Sequence, residues 1–297
     1  MLNPNEAANF GNTAEILEGT VRHPLEIFQE VLETIKKRST TPDYPFGITD
    51  LDKITMGLHK KNLTVIGGRP GTGKTSLMTQ FAFELATAHK KVLFVSLEMS
   101  KEQIIERLFS YSSMIDNQKL RINDLPMDIE TRTTSFLKIL EGIDLFIVDD
   151  AGFNFKSIER LIKSFEPRPD VVFLDFIQMI SGKGFESKRE AVEEYLRSFK
   201  ELAITENMAI VVGSQIGRGA MDDKDDRPSL HHLKWSGYIE ESADLIIMIW
   251  WKKDFNGIEY KLLVDKQRHG PLGEVSVKFI PYYFKFDNLN EKNLSSL

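Results

Sequence analysis

The 297-residue chain contains no cysteine, which excludes disulfides and thiolate metal sites and says little about compartment. It also lacks any apolar run near the ~18–20 residues that a bilayer span needs. The most apolar stretch, "LIIMIWW" at 245–251, is flanked by Asp244 and Lys252 and reads as a buried strand. No charged-then-apolar start marks a secretory leader, so a cytoplasmic protein with no membrane contact is the expectation. An excess of positive charge is missing too. The formal net charge of −6 argues against a uniformly basic nucleic-acid coat, yet leaves room for a local groove or the centre of a ring. What is present is ordinary for a globular protein: 41% hydrophobic and 28% charged residues, enough for one large α/β domain or two small ones.

Residues 1–23 are polar and without clear periodicity, and are expected to form a flexible leader. Pro24 then opens "PLEIFQEVLETIKKR", with Leu25, Phe28, Leu32 and Ile35 at helical spacing and the basic residues last, as the helix dipole favours. "STTPDYP" ends it, so 24–45 reads as a linker helix and linker. The apolar stripe must be covered, either by its own domain or by a neighbouring subunit, and the residues leave both open. From about 46 onward, strand-like runs at 62–68, 91–98, 144–150, 171–176, 209–215, 243–250 and 260–268 alternate with helical stretches such as 74–88, 101–114, 156–165 and 188–206. Apolar strands alternating with helices predict an α/β fold with a mainly parallel sheet flanked by helices. Functional groups then collect at the carboxyl ends of the strands.

"GRPGTGKTS" at 68–76 carries the full G-x-x-x-x-G-K-[ST] phosphate-loop pattern, placed between an apolar strand and a helix. Gly68, Arg69, Pro70, Gly71, Thr72, Gly73, Lys74, Thr75 and Ser76 are the candidate nucleotide-binding residues. The glycines let backbone N–H groups wrap phosphate oxygens, Lys74 reaches the β- and γ-phosphates, and the Thr75 hydroxyl ligates Mg²⁺. A nucleoside triphosphate such as ATP is the implied ligand.

Two strands compete to supply the Mg²⁺ carboxylate. "LFIVDD" ends in Asp149 and Asp150; "VVFLDF" ends in Asp175 followed by Phe176. The acid is expected on a strand next to the phosphate-loop strand, which pattern alone does not reveal. For a base, Glu98 after "KVLFVSL" stands at a strand end, where a carboxylate orients and deprotonates attacking water. The competing reading makes it a residue of the helix start, beside a Ser100 cap.

Taken in order, "FGITDLDKITMGL", "GGRPGTGKTS", "SLEMS", "VVFLDFIQMI", "GSQIGR", "SGYIEESAD" and "DKQRHGPLG" resemble the motifs of DnaB-type replicative helicases. These are ring-shaped hexamers with a RecA-like ATPase core. The resemblance runs over roughly 24–287 and assigns 46–297 to a RecA-like P-loop ATPase domain. It implies that the family's primase-contacting amino-terminal domain lies outside this sequence. It places the Mg²⁺ aspartate at Asp175 and leaves Asp149 and Asp150 structural. It places the catalytic glutamate at Glu98 and a γ-phosphate sensor at Gln215. Lys266 and Arg268 match a basic pair inserted into the adjacent subunit's ATP site; alternation along a strand puts both on one face. "HHLKWSG" occupies the family's DNA loop, so Lys234, Trp235 and Gly237 fall at positions contacting single-stranded DNA. The loop departs from the family at His232, Lys234 and Trp235, and Arg218 matches a further family position. Implied partners are single-stranded DNA, other copies of the chain in a hexameric ring, primase and a helicase loader. The competing functions are a RecA-type recombinase, which forms filaments, and a nucleotide-dependent scaffold or loading partner without useful turnover.

Overall fold

The computed structural model describes residues 23–36, 42–150, 152–216, 227–228, 236–254 and 257–289. Most of the expected leader, Arg218, His232, Lys234 and Trp235 lie outside the described residues. The chain divides into two compact units, Met1–Thr41 and Pro42–Leu297. In the first, α1 (Pro24–Lys36) is an amphipathic helix. Its residues Leu25, Phe28, Leu32 and Ile35 are exposed.

The second unit opens with α2 (Thr49–Thr55). Its sheet is built from β1 (Leu63–Gly68), β2 (Val92–Ser96), β3 (Leu145–Asp149), β4 (Val171–Asp175), β5 (Ala209–Gln215), β6 (Leu245–Asp254), β7 (Gly257–Gln267), β8 (Gly273–Ile280) and β9 (Lys285–Asn288). Among the described residues these make one nine-stranded sheet in the order β3-β2-β4-β5-β1-β6-β7-β8-β9. The first six are parallel to one another, and β6 through β9 continue as an antiparallel meander. Between the strands run α3 (Lys74–Thr87), α4 (Lys101–Ser113), α5 (Asn117–Arg121), α6 (Ile129–Glu141), α7 (Phe155–Ser164), α8 (Lys188–Thr205) and α9 (Ser236–Ser242).

Strands β1, β2 and β4 are buried at every position, because helices cover both faces. Alternation sends Ile66, Phe94 and Phe173 to a core with Phe81 of α3, Ile104 of α4 and Phe136 of α6. It sends Val65, Leu93 and Leu174 to a second core with Ile158 of α7 and Phe199 of α8. Two local devices set the expected elements' ends. Strand β2 stops at Ser96 rather than 98, because the Ser96 hydroxyl donates to the Met99 carbonyl at 2.6 Å and turns the chain outward. Helix α4 then starts with Ser100 and Gln103 in a reciprocal capping box. The meander strands β8 and β9 were not among the expected runs.

The expectation that the acid's strand adjoins the phosphate-loop strand is corrected. β4 is separated from β1 by β5, and β3 lies at the far edge. Asp149 on that edge accepts from the Lys101 backbone N–H at 3.0 Å and from its ammonium at 3.1 Å, tying β3 to the start of α4. Asp150 closes its own turn by accepting from Gly152 N–H at 2.7 Å.

At the opposite end of the sheet, Asp244 is 3% exposed and joins several elements. It accepts from Leu63 N–H of β1 at 2.8 Å and from the Lys200 ammonium of α8 at 2.6 Å. Removing one partner of such a buried pair strands the remaining donors. Asp244→Ala is expected to lower stability by about 3 kcal/mol, read as a fall in the urea midpoint at unchanged slope.

Candidate active site

The phosphate loop leaves β1 at Gly68 and enters α3 through Gly73, whose backbone is left-handed at φ 92°. A Cβ there would meet the Phe286 ring at 2.9 Å, so glycine satisfies both the turn and the close approach of β9. Thr72 closes the turn, its N–H and hydroxyl donating to the Arg69 carbonyl at 3.3 and 2.9 Å. Pro70 and Gly71 form an exposed tip. Behind the tip, Lys74 and Ser76 are buried. The Lys74 ammonium sits 4.8 Å from the centre of the Phe176 ring.

The structure brings Thr75 and Asp175 together although β4 and β1, the strand that leads to Thr75's helix, are not neighbours. The Thr75 hydroxyl donates to Asp175 Oδ2 at 2.6 Å. Asp175 is fully buried, and its second oxygen, Oδ1, has no partner. Burial pushes this carboxyl up from its ordinary range, while the Lys74 charge and the Thr75 hydroxyl draw it down. The intervening strand permits the contact because it carries Gly213. A Cβ at 213 would lie 3.0 Å from Asp175 Oδ1 and 3.0 Å from Met78 Sδ.

Glu98 is exposed in the bend between β2 and α4. It lies outside the helix that Ser100 caps, so it is free of the capping role. Its charge acts on Asp175, which it raises, and on Arg107. Arg107 is a residue that sequence reasoning passed over. Its guanidinium stacks on Phe284 at 4.6 Å and lies 3.5 Å from the Ser76 hydroxyl. Burial lowers its pKa from the ordinary value, and the charges of Asp175 and Glu98 oppose that shift. The available signal was its spacing: Arg107 interrupts the stripe of Ile104 and Leu108 on the buried side of α4.

Gln215 ends β5 beside Gly68, its register partner on β1. Lys266 and Arg268 are not brought to this loop. Both reach carbonyls at the end of α9: the Lys266 ammonium donates to Glu240 O, and Arg268 donates to Glu241 O at 2.8 Å. Arg268 also stands 3.3 Å from Asp244 Oδ1. Gly237 lies exposed in the first turn of α9.

A glycine-bearing turn at a helix start, a buried ammonium and a hydroxyl–carboxylate pair with one bare oxygen suit a phosphate with a divalent cation. With the sheet order, this is a RecA-like P-loop nucleoside triphosphatase fold. Residues 44–288 match the family described as "DnaB-like helicase C terminal domain", and the chain belongs to that family. A probable replicative DNA helicase of Trieres chinensis is 31% identical over 95% of this chain and 66% of its own length. A DnaB-like replicative helicase, solved in a study of its interactions with primase, superposes with a TM-score of 0.81 at 26% identity, covering 91% of this chain and 68% of that one. A separately solved ATPase domain gives 0.84 at 26% identity, covering 91% of this chain and all of that one. The chain spans about three fifths to two thirds of the length of the curated relatives it matches.

Gly213→Ala is expected to crowd Asp175 and Met78 and to lower stability by about 1–3 kcal/mol. Calorimetry with and without Mg²⁺–nucleotide should show a smaller ligand-induced rise in Tm than for the unaltered chain.

Proposed function

We propose that this chain is the ATP-hydrolysing motor of a ring-shaped replicative DNA helicase, translocating on single-stranded DNA and unwinding duplex during replication. Lys74 and the loop 68–76 bind the ATP phosphates, and Thr75 and Asp175 hold Mg²⁺. The bare Asp175 Oδ1 beside the Thr75 hydroxyl is consistent with a cation there. Mg²⁺ supplies neutralisation of the phosphate oxygens. Glu98 orients and deprotonates water, which its exposed position in the bend after β2 permits. Gln215 senses the γ-phosphate.

The observation that carries a shared site is the register of β7. Gln267 pairs with Leu245, and Leu245 pairs with Thr64, whereas the phosphate loop begins at Gly68 opposite Ile249. Four residues of strand separate the two levels, about 13 Å along the sheet. Lys266 and Arg268 therefore stand at the wrong end to serve their own chain's ATP. A ring in which each copy presents this pair to its neighbour gives them a role, with Arg268 stabilising charge on the transferring phosphoryl group.

In this reading residues 46–297 are the motor and 24–45 the linker, with the apolar stripe of α1 docking on an adjacent copy. The loop at 232–237, with Lys234, Trp235 and Gly237, tracks the DNA backbone, and primase and a helicase loader are the protein partners. Family membership supports this reading over a recombinase filament.

Glu98→Gln is expected to cut single-stranded-DNA-stimulated ATP hydrolysis by about 10²–10⁴-fold, the range of a lost general base. A rate within twofold of the unaltered chain removes Glu98 from the mechanism and favours another base. Mixing Arg268→Ala subunits with Lys74→Ala subunits is expected to restore hydrolysis above either parent, because some interfaces then hold an intact half from each. Rates no higher than the parents at every mixing ratio overturn the shared site.

A further inference from the structure

The carboxyl end of β5 extends past the end of β4. The ladder between them closes at Leu174 and Val212, which leaves Gly213, Ser214 and Gln215 without a strand on that side. On the other side these residues pair with Ile66, Gly67 and Gly68 of β1. The chain after Asp175 turns into a 3-10 turn, Ile177–Met179, and its central residue fills the gap. Gln178 is buried. Its carboxamide nitrogen donates to the Ser214 hydroxyl at 3.0 Å, and its carboxamide oxygen accepts from Gln215 N–H at 3.2 Å. The next amide, Ile216 N–H, points the other way and donates to the Gly68 carbonyl at 3.1 Å. A primary carboxamide has the donor and acceptor of a peptide group, so it can stand in for one strand residue.

We propose that Gln178 is a positioning residue for Gln215: its side chain replaces the missing strand and clamps the end of β5 against the first glycine of the phosphate loop. The clamp also joins two parts of the site. Gln178 lies three residues after Asp175 in the chain, so a shift of that aspartate is passed through one turn to the Gln215 backbone by one hydrogen bond and to the Ser214 hydroxyl by another. An apolar side chain would fill the same space and leave Gln215 N–H and Ser214 without their partners. The functional half of this inference rests on Gln215 acting as the γ-phosphate sensor.

The test uses the full chain, with ATP, Mg²⁺ and single-stranded DNA present. Gln178→Met keeps length and burial and removes both hydrogen bonds. It is expected to lower kcat about tenfold with KM for ATP changed less than about twofold, the loss of roughly one buried hydrogen bond's worth of positioning. Amide hydrogen exchange in the peptide carrying Gln215 is expected to speed up by a similar factor. In a Gln215→Ala background the same change is expected to have no further effect on kcat. Unchanged exchange, or kcat losses that simply multiply in the double variant, overturn the proposal. If Gln215→Ala alone leaves kcat untouched, the sensor reading fails, and exchange alone decides whether Gln178 holds the strand end. Should Gln178→Met not fold, Ser214→Ala removes one anchor of the same carboxamide. Faster exchange at Gln215 in that variant supports the clamp, and unchanged exchange refutes it.

Discussion

The site depends on one contact made across a strand. Asp175 belongs to β4 and Thr75 to the helix that follows β1, with β5 lying between the two strands. A carboxylate normally reaches its immediate neighbour with ease; here it must pass over a strand to meet the hydroxyl at 2.6 Å. Four residues make that possible. Gly213 on β5 has no side chain to block the path. Ser214 and Gln178 hold the same strand end flat. Burial pushes the Asp175 carboxyl up, and the Thr75 hydroxyl offsets part of that push.

The two ends of the sheet carry different tasks. The carboxyl end of β1 leads into the glycine-rich loop proposed to hold phosphate. At the amino end, Asp244 fastens β1, α8 and the end of β7, which carries Lys266 and leads into Arg268, into one unit, since Arg268 N–H also donates to the Asp244 carbonyl at 2.9 Å. The basic pair therefore stands on a rigid base and engages the last carbonyls of α9, the helix that follows the expected DNA loop. A cation at a helix carboxyl terminus is stabilised by the exposed carbonyls and the dipole. In the proposed ring, that same pair would have a competing attraction in the neighbouring phosphates, which would link the helix behind the expected DNA loop to the occupancy of the next site.

Much of this was legible in the residues, and the reasons are local. The phosphate loop is a contiguous pattern whose neighbours, an apolar run and a helix start, are visible at once. The parallel sheet followed from fully apolar strands. What pattern could not supply was strand order, because hydrogen-bonded neighbours such as β5 and β1 are distant in sequence. That is why Asp149 and Asp175 looked equivalent, and why the acid was expected one strand too close. Strands β8 and β9 escaped notice for a different reason. Their burial is partial and their sequence is short and mixed, yet Gln80 of α3 ties Phe286 of β9 in both directions at 2.8 Å. Arg107 and Gln178 were hidden because each is a polar residue in an apolar context, and only three-dimensional placement reveals what it serves.

The residue after Asp175 shows how the pieces constrain one another. An acid at position 176 would be the simple way to hold a base beside Asp175, the proposed Mg²⁺ ligand. Instead Phe176 is buried, and its ring lies against the Lys74 ammonium. A carboxylate there would pair with Lys74 at close range in a water-poor site, competing with the phosphate for that cation. It would also add a second negative charge beside Asp175, pushing a carboxyl that burial already raises further up. An aromatic face attracts the ammonium more weakly and carries no net charge, so it holds Lys74 near the loop without claiming it. With that position filled by Phe176, the proposed base lies at a strand end further along the sheet: Glu98 follows β2, two strands from β5, and stands outside the α4 cap.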